Sequence, residues 1–153
     1  MKLNPQKRDK ALQPLSREHH HGLLLCWKIR TGIKKNIEPQ RIKMYLDWFW
    51  LSYLKPHFEN EELYVFPVLG NENELVKQAL AEHRELKRLF ESENDLHKSI
   101  GLIEEELEKH IRFEERVLFN EIQAVVNSEQ LLQIQLDSSD KIFCENLSDI
   151  FWE

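Results

Sequence analysis

Cysteine is almost missing from this chain. Two occur in 153 residues, Cys26 and Cys144, and they form no spaced motif, which excludes a disulfide framework and a thiolate zinc site. Cys26 falls in an apolar helical pattern and reads as a small core residue. Glycine (four) and proline (five) are scarce and sit mostly at boundaries. Strand-like alternation is absent. No apolar run approaches the roughly 18 residues of a membrane span. The opening stretch MKLNPQKRDKALQPL lacks the apolar segment of a secretory signal. A cytoplasmic protein with no membrane partner is therefore expected. Positive charge is not in excess either. The net charge of −6 argues against nucleic acid as a partner, and Lys2, Lys7, Arg8 and Lys10 read as part of a flexible, solvated tail over residues 1–11. There is no P-loop, dinucleotide fingerprint or nucleophile elbow.

What is present is helical periodicity, nearly throughout. With 41% hydrophobic and 31% charged residues, the composition is that of one globular domain with a single core. The spacing predicts helices over about 12–33 (ending near Thr31-Gly32), 39–69, 73–92 and 96–126. Pro39 falls in the first turn of the second helix and Gly70 just past its end. A fifth segment starts at Ser128 and carries Leu132, Leu136, Phe143, Leu147 and Ile150 at helical steps to about 151. Short connections between long helices imply antiparallel neighbours. The expected fold is all-α: an antiparallel up-down-up-down four-helix bundle over 12–126, with an additional C-terminal helix over 127–153 that covers the bundle or forms a homodimer. Pro56 interrupts the second helix and predicts a kink just before His57.

Each buried stripe contains something polar. The first helix reads Leu12, Leu15, His19, Leu23, Cys26. The second reads Leu46, Trp50, Tyr53, His57, Glu61, Tyr64, Val68. The third reads Leu75, Ala79, His83, Leu86, Phe90. The fourth reads Ile103, Leu107, His110, Glu114, Val117, Val125, with Ile122 beside it. A lone buried carboxylate costs several kcal/mol unless paired or bound to a metal. Four imidazoles and two carboxylates on converging faces thus require a compensating positive charge. His57 and Glu61 are four residues apart and share a helix face, as do His110 and Glu114. At ~1.5 Å per residue, the distances to the intervening turns bring these groups to one level.

Segment 57–67, HFENEELYVFP, also repeats as segment 110–120, HIRFEERVLFN. A single His-x3-Glu is unremarkable among 27 acidic residues; two copies, both in core-facing phase, predict a metal site.

These residues resemble the hemerythrin-like family, the HHE cation-binding domain. The resemblance covers about 12–126 and rests on REHHHGLLL, HFENEELYVFP, ALAEHRELKRL and EKHIRFEERVLF. It implies a four-helix bundle around two irons. His57 and His110 would be terminal ligands, Glu61 and Glu114 bridging carboxylates, and His83 the third helix's ligand. In the family an aliphatic residue stands four before the first helix's ligand and often an acid directly before it, so Leu15 and Glu18 point to His19; His20 is its rival. His21 and His97 read as exposed. Glu62 and Glu115 read as solvated flanks, with a hydrogen bond to an imidazole N–H as the alternative. Oxygen-carrying hemerythrins have a further histidine four residues after the one at 83; here that position is Lys87. The centre would have four histidines and more open positions, as in family members linked to iron handling, nitric oxide or oxidative stress.

Imidazoles and carboxylates without thiolates suit iron, manganese or zinc, and the resemblance favours two iron ions. The expected function is small-molecule sensing (O2, NO or peroxide) or iron handling. The alternatives are a di-iron enzyme consuming peroxide or NO, and a metal-free helical interaction module. Trp50, Tyr53, Leu86, Leu107 and Val117 would wall the site; Tyr53 and Tyr64 read as packed core tyrosines, with a hydrogen bond from one of them to a bound oxygen species as the alternative. Without metal, the two close carboxylates are expected to repel, raising the pKa of at least one.

Overall fold

The computed structural model describes residues 7–137 and 142–153. All regular structure among them is helical. The first arm is α1 (Gln13–Lys34). The second runs through α2 (Pro39–Phe49), a π-helical turn (Trp50–Leu54), α3 (Lys55–Asn60), a second π turn (Glu61–Val65) and a 3-10 turn (Phe66–Val68). The third is α4 (Glu74–Glu91). The fourth is α5 (Leu96–Phe113), a π turn (Glu114–Leu118) and α6 (Phe119–Val125). The extra C-terminal helix, α7, spans Ser128–Asp137. No helix is long and apolar enough to cross a membrane among these residues.

Local chemistry sets the boundaries. Pro14 and Pro39 occupy first turns, where a missing N–H costs nothing. Gly70 ends the second arm at φ +87°, a conformation that disfavours a side chain. The Asn73 side chain caps α4 by accepting from the N–H groups of Leu75 (2.8 Å) and Val76 (3.3 Å). Pro56 follows a π turn, which accommodates the carbonyl the ring would otherwise strike, so the expected disturbance before His57 is an i→i+5 turn.

Neighbouring arms run in opposite directions. Along α1 and the segment just before it, Arg8, His19 and Arg30 meet Glu115, Glu114 and Glu104 of the fourth arm. Glu18 and Lys28 meet His57 and Tyr45 of the second. Lys43 and Glu62 of the second meet Phe90 and His83 of α4. The apolar interior falls into two clusters. One centres on Leu25, Leu46, Trp50, Phe90 and Ile103; the other on Leu15, Val65, Ala79, Phe119 and Ile134. Between them lies a buried layer of His19, His57, Glu61, His83, His110 and Glu114.

Several expectations need correction. Val117 and Val125 are exposed, and Leu118 and Phe119 are buried instead. The π turn beginning at Glu114 inserts one residue and rotates everything after it, so a uniform 3.6-residue phase fails there. Likewise Val65 and Phe66 are fully buried where Tyr64 and Val68 were expected. The first helix does not stop at Gly32 but continues to Lys34. Gly32 serves close approach: a Cβ there would lie 2.9 Å from the Phe151 ring.

Helix α7 is shorter than expected and turns a different face inward. Ile134 is buried, while Leu132 and Leu136 are exposed. Residues 142–153 are not helical. They run back over α1 and α2, where Phe151 is buried, Leu147 is exposed, and Phe143 packs beside Tyr53 with ring centroids 4.8 Å apart. In the expected N-terminal tail, residues 1–6 lie outside the described residues, and 7–11 are docked. Arg8 donates to the Glu115 carbonyl (2.8 Å), Gln123 accepts from the Asp9 N–H, and Ala11 is buried.

Candidate metal centre

All six residues singled out in the sequence come together. Ligand atoms of His19, His57, Glu61 and Glu114 lie within 4.8 Å of one another, as do those of Glu61, His83, His110 and Glu114. The two carboxylates belong to both sets. Both open a π turn in their arm, so the sequence repeat is also a structural one, and π turns recur at functional sites. Of the two rivals, His19 is buried within the cluster and His20 is exposed. His97 is exposed as expected, while His21 is half-buried and stacks on Phe143 with centroids 4.2 Å apart.

The imidazoles share one orientation. Every Nε2 points to the centre: His19 Nε2 lies 2.9 Å from Glu114, His57 Nε2 3.3 Å and His83 Nε2 3.2 Å from Glu61, and His110 Nε2 3.3 Å from Glu114. Every Nδ1 points outward to a different glutamate. His19 meets Glu115 at 2.9 Å, His57 meets Glu18 at 3.0 Å, His83 meets Glu62 at 2.8 Å, and His110 meets Glu82 at 2.7 Å.

These outer contacts close a ring. The first arm holds the second arm's imidazole, the second holds the third's, the third the fourth's, and the fourth the first's. Glu62 and Glu115 are thus imidazole partners, not merely solvated flanks. Glu18 and Glu82 were missed in this role. Their signal was present: in each arm the outer glutamate is the immediate chain neighbour of a central residue, as in Glu18-His19, Glu61-Glu62, Glu82-His83 and Glu114-Glu115.

The charge balance calls for a cation. An ionised carboxylate only accepts, so each Nδ1 carries a proton, and each Nε2 becomes an inward-facing lone pair once an ion displaces any proton it holds. His83 Nε2 and His110 Nε2 stand 3.1 Å apart, an arrangement that repels unless a proton or metal ion lies near. His57 Nε2, both Glu61 oxygens and Glu114 Oε2 have no hydrogen-bond partner though buried. Orphaned acceptors aimed at one point fit a cation.

Proton affinities respond to the same field. Burial pulls the His57 and His110 imidazoles down, but Glu61 and Glu18 around His57, and Glu114 and Glu82 around His110, override it. They raise the two rings to about 9 and about 10. His19 and His83 also rise against burial, through Glu114, Glu115 and Glu61 at the first and Glu61 and Glu62 at the second. Burial pushes Glu61 up, but the imidazoles of His57, His19 and His83 hold it well below the carboxylate range. The expected repulsion-driven rise is therefore reversed at Glu61, because imidazoles, not the second carboxylate, dominate its surroundings.

A family model described as the hemerythrin HHE cation binding domain matches residues 10–92. This chain belongs to the hemerythrin HHE cation-binding family. No curated protein and no solved structure matches it. The family match includes His19, His57, Glu61 and His83; the fold brings in His110 and Glu114, the remaining third of this hemerythrin domain's cluster. Lys87, at the place of the oxygen carriers' further histidine, is exposed. The Tyr53 hydroxyl accepts from the Cys144 N–H at 2.9 Å, in the C-terminal segment, and Tyr64 packs against the apolar cluster of Leu15, Val65 and Phe119.

Proposed function

We propose that this hemerythrin domain holds two metal ions, iron in the cell, and uses them to sense a small molecule such as O2, NO or peroxide, or to handle iron. The observation that carries this reading is that Glu61 and Glu114 belong to both imidazole pairs. Two ions held here would share these carboxylates, and two imidazoles would complete each set: His19 with His57, and His83 with His110. Manganese and zinc satisfy the same donor types.

The chain's own work is positional. The four outer glutamates fix the tautomer and aim of the imidazoles before any ion arrives. Glu61 and Glu114 supply negative charge in a layer from which water is excluded by Leu15, Phe58, Leu107 and Phe119. Bound iron would contribute open coordination positions and redox capacity. Four histidines in place of five favour exchange of a small ligand over plain storage. Residues 12–126 make up the cation-binding unit in this reading.

The test is elemental analysis with an optical spectrum of protein purified in air. About two irons per chain with oxo-bridged absorption supports the proposal. Stoichiometric zinc would replace the iron assignment; no metal under reconstitution with Fe(II), Mn(II) or Zn(II) would overturn the centre.

A further inference from the structure

The second arm and α4 do not close completely over the metal layer. Between them lies a cleft of about 310 Å³, at the lower end of the range for small-molecule sites. Its inner wall is Trp50, Phe58, Leu80 and one edge of His83. That wall is held firmly: Trp50 stacks on Phe90 at 5.1 Å, and Phe58 stacks on His83 at 3.8 Å with the rings 12° apart.

The outer rim is basic. Lys55, Arg84 and Lys87 line it, all exposed, and none has an ion-pair partner among the described residues. Of the two carboxylates at the rim, Glu62 is committed to His83 Nδ1 at 2.8 Å, which leaves Glu59. Three unpaired cations against one free carboxylate is a local excess opposite in sign to the chain's net charge of −6. Lys87 belongs to this rim: the position that is a ligand in oxygen carriers here contributes a cation.

We propose that this cleft is a binding site for a small organic anion with a flat apolar body, an aromatic carboxylate being the simplest case. The carboxylate pairs with Arg84 and Lys87, with Lys55 adding charge; the ring rests against Trp50, Phe58 and Leu80. Arg84 offers the two-pronged geometry that a carboxylate matches. The aromatic wall selects against simple inorganic anions, which gain nothing from it. The cleft meets the His/Glu centre only at His83, and the residues that hold the anion (Lys55, Arg84, Lys87, Trp50, Phe58 and Leu80) lie outside that centre, so binding does not require it to be loaded.

Benzoate is the probe, titrated by calorimetry into the full chain in both metal-loaded and metal-free form. Saturable binding at one site per chain is expected in both. Acetate, with charge but no ring, and benzyl alcohol, with a ring but no charge, should each bind at least tenfold more weakly. The double variant Arg84→Glu, Lys87→Glu should weaken benzoate at least tenfold, while Lys98→Glu, an exposed reversal outside the cleft lining, should leave it unchanged. Both sets of residues are exposed, and unchanged circular dichroism will confirm folding. Absence of saturable binding, equal loss with Lys98→Glu, or binding confined to the loaded form and indifferent to the double variant would overturn the proposal. The last outcome would place the anion on the metal, and none of the three bears on whether metal is bound.

Discussion

His83 and His110 face each other Nε2 to Nε2 across 3.1 Å, each with its Nδ1 tied to a glutamate. Two Nε2 atoms this close conflict whether they meet as lone pairs or as N–H groups, and a bound cation shared between them relieves the conflict. Binding that is coupled to folding stabilises the native state. Complete chelation should therefore lower the melting temperature, and adding back Fe(II) or Zn(II) should restore it. Identical melting curves with and without metal would exclude an interior site.

The ring of outer glutamates makes a sharper prediction. Glu82→Ala removes the acceptor for His110 Nδ1 without touching a central residue. Loss of such an outer partner costs about 10–100-fold in metal affinity. Glu82→Gln, whose amide oxygen still accepts, should recover much of that loss. Glu85, three residues on and paired with Arg88 at the surface, provides the control: Glu85→Ala should leave affinity unchanged. Competition against a chromophoric chelator measures all three.

The shared carboxylates should behave differently from the imidazoles. Glu61→Ala removes a group common to both sets, so it should lose both ions, whereas His57→Ala touches one set and should retain the ion on the His83 side. Metal per chain after desalting distinguishes them. The metal-free Glu61→Ala protein should also be destabilised by about 3–5 kcal/mol, because His57 and His83 lose their charge partner in the interior. Denaturant melts of the metal-free proteins provide that comparison.

These residues show what a sequence can carry. The six central side chains were legible because each places a polar group in an apolar stripe, and because His-x3-Glu occurs twice. The four arms followed from period, Pro39 and Gly70. Burial beyond Glu61 and Glu114 was not legible: each π turn adds a residue, and a fixed helical phase then names Val117 where Leu118 is buried. The C-terminal segment misled for another reason. Phe143, Leu147 and Ile150 repeat at helical steps, but tertiary packing of Phe151 against Gly32 and of Glu145 against Lys28 and Tyr45 outweighs local periodicity. The outer glutamates were visible as acids beside ligands, yet adjacency along one helix does not reveal a partner on the next.

The pH response of the metal-free protein follows from the imidazoles. His57 and His110 rise to about 9 and about 10 in the folded state, against about 6.5 when unfolded. A raised folded value contributes stability that is fully present below the unfolded value and lost as pH climbs through the folded one. The metal-free protein should thus lose stability between about pH 6.5 and 10. Glu61 is held low by these same imidazoles, so its stabilisation is present above the usual glutamate value and is lost only as pH falls through its depressed one; it is the same ion pairing, not an additional gain. Metal affinity should move the opposite way, since protons compete for Nε2: acidification releases metal. Urea melts and chelator competition across pH 5–10 should give trends of opposite sign. A metal-free stability that rises toward pH 10 would contradict this charge assignment.

The C-terminal segment should stabilise the bundle without tuning the metal site. Phe151 is buried against Gly32 and Ile42, at the end of α1 remote from His19. Glu145 accepts from both Lys28 and Tyr45, and Arg41 pairs with Asp149 through two contacts of 2.7 and 2.8 Å. Burial of Tyr45, reinforced by Glu145, pushes its phenol far above its ordinary value, so it donates at any working pH. Phe151→Ala should destabilise by about 3–5 kcal/mol, the usual cost of emptying a buried aromatic position. Gly32→Ala introduces a methyl where the Phe151 ring stands 2.9 Å away and should cost about 1–3 kcal/mol by overpacking. In the double variant Gly32→Ala, Phe151→Ala, the new methyl occupies space the ring has left, so the combined loss should be smaller than the sum. Urea melts of the four proteins measure this coupling. Metal per chain should be the same in all of them below the unfolding transition; a strict sum of the two losses would show that the ring does not occupy the Gly32 notch.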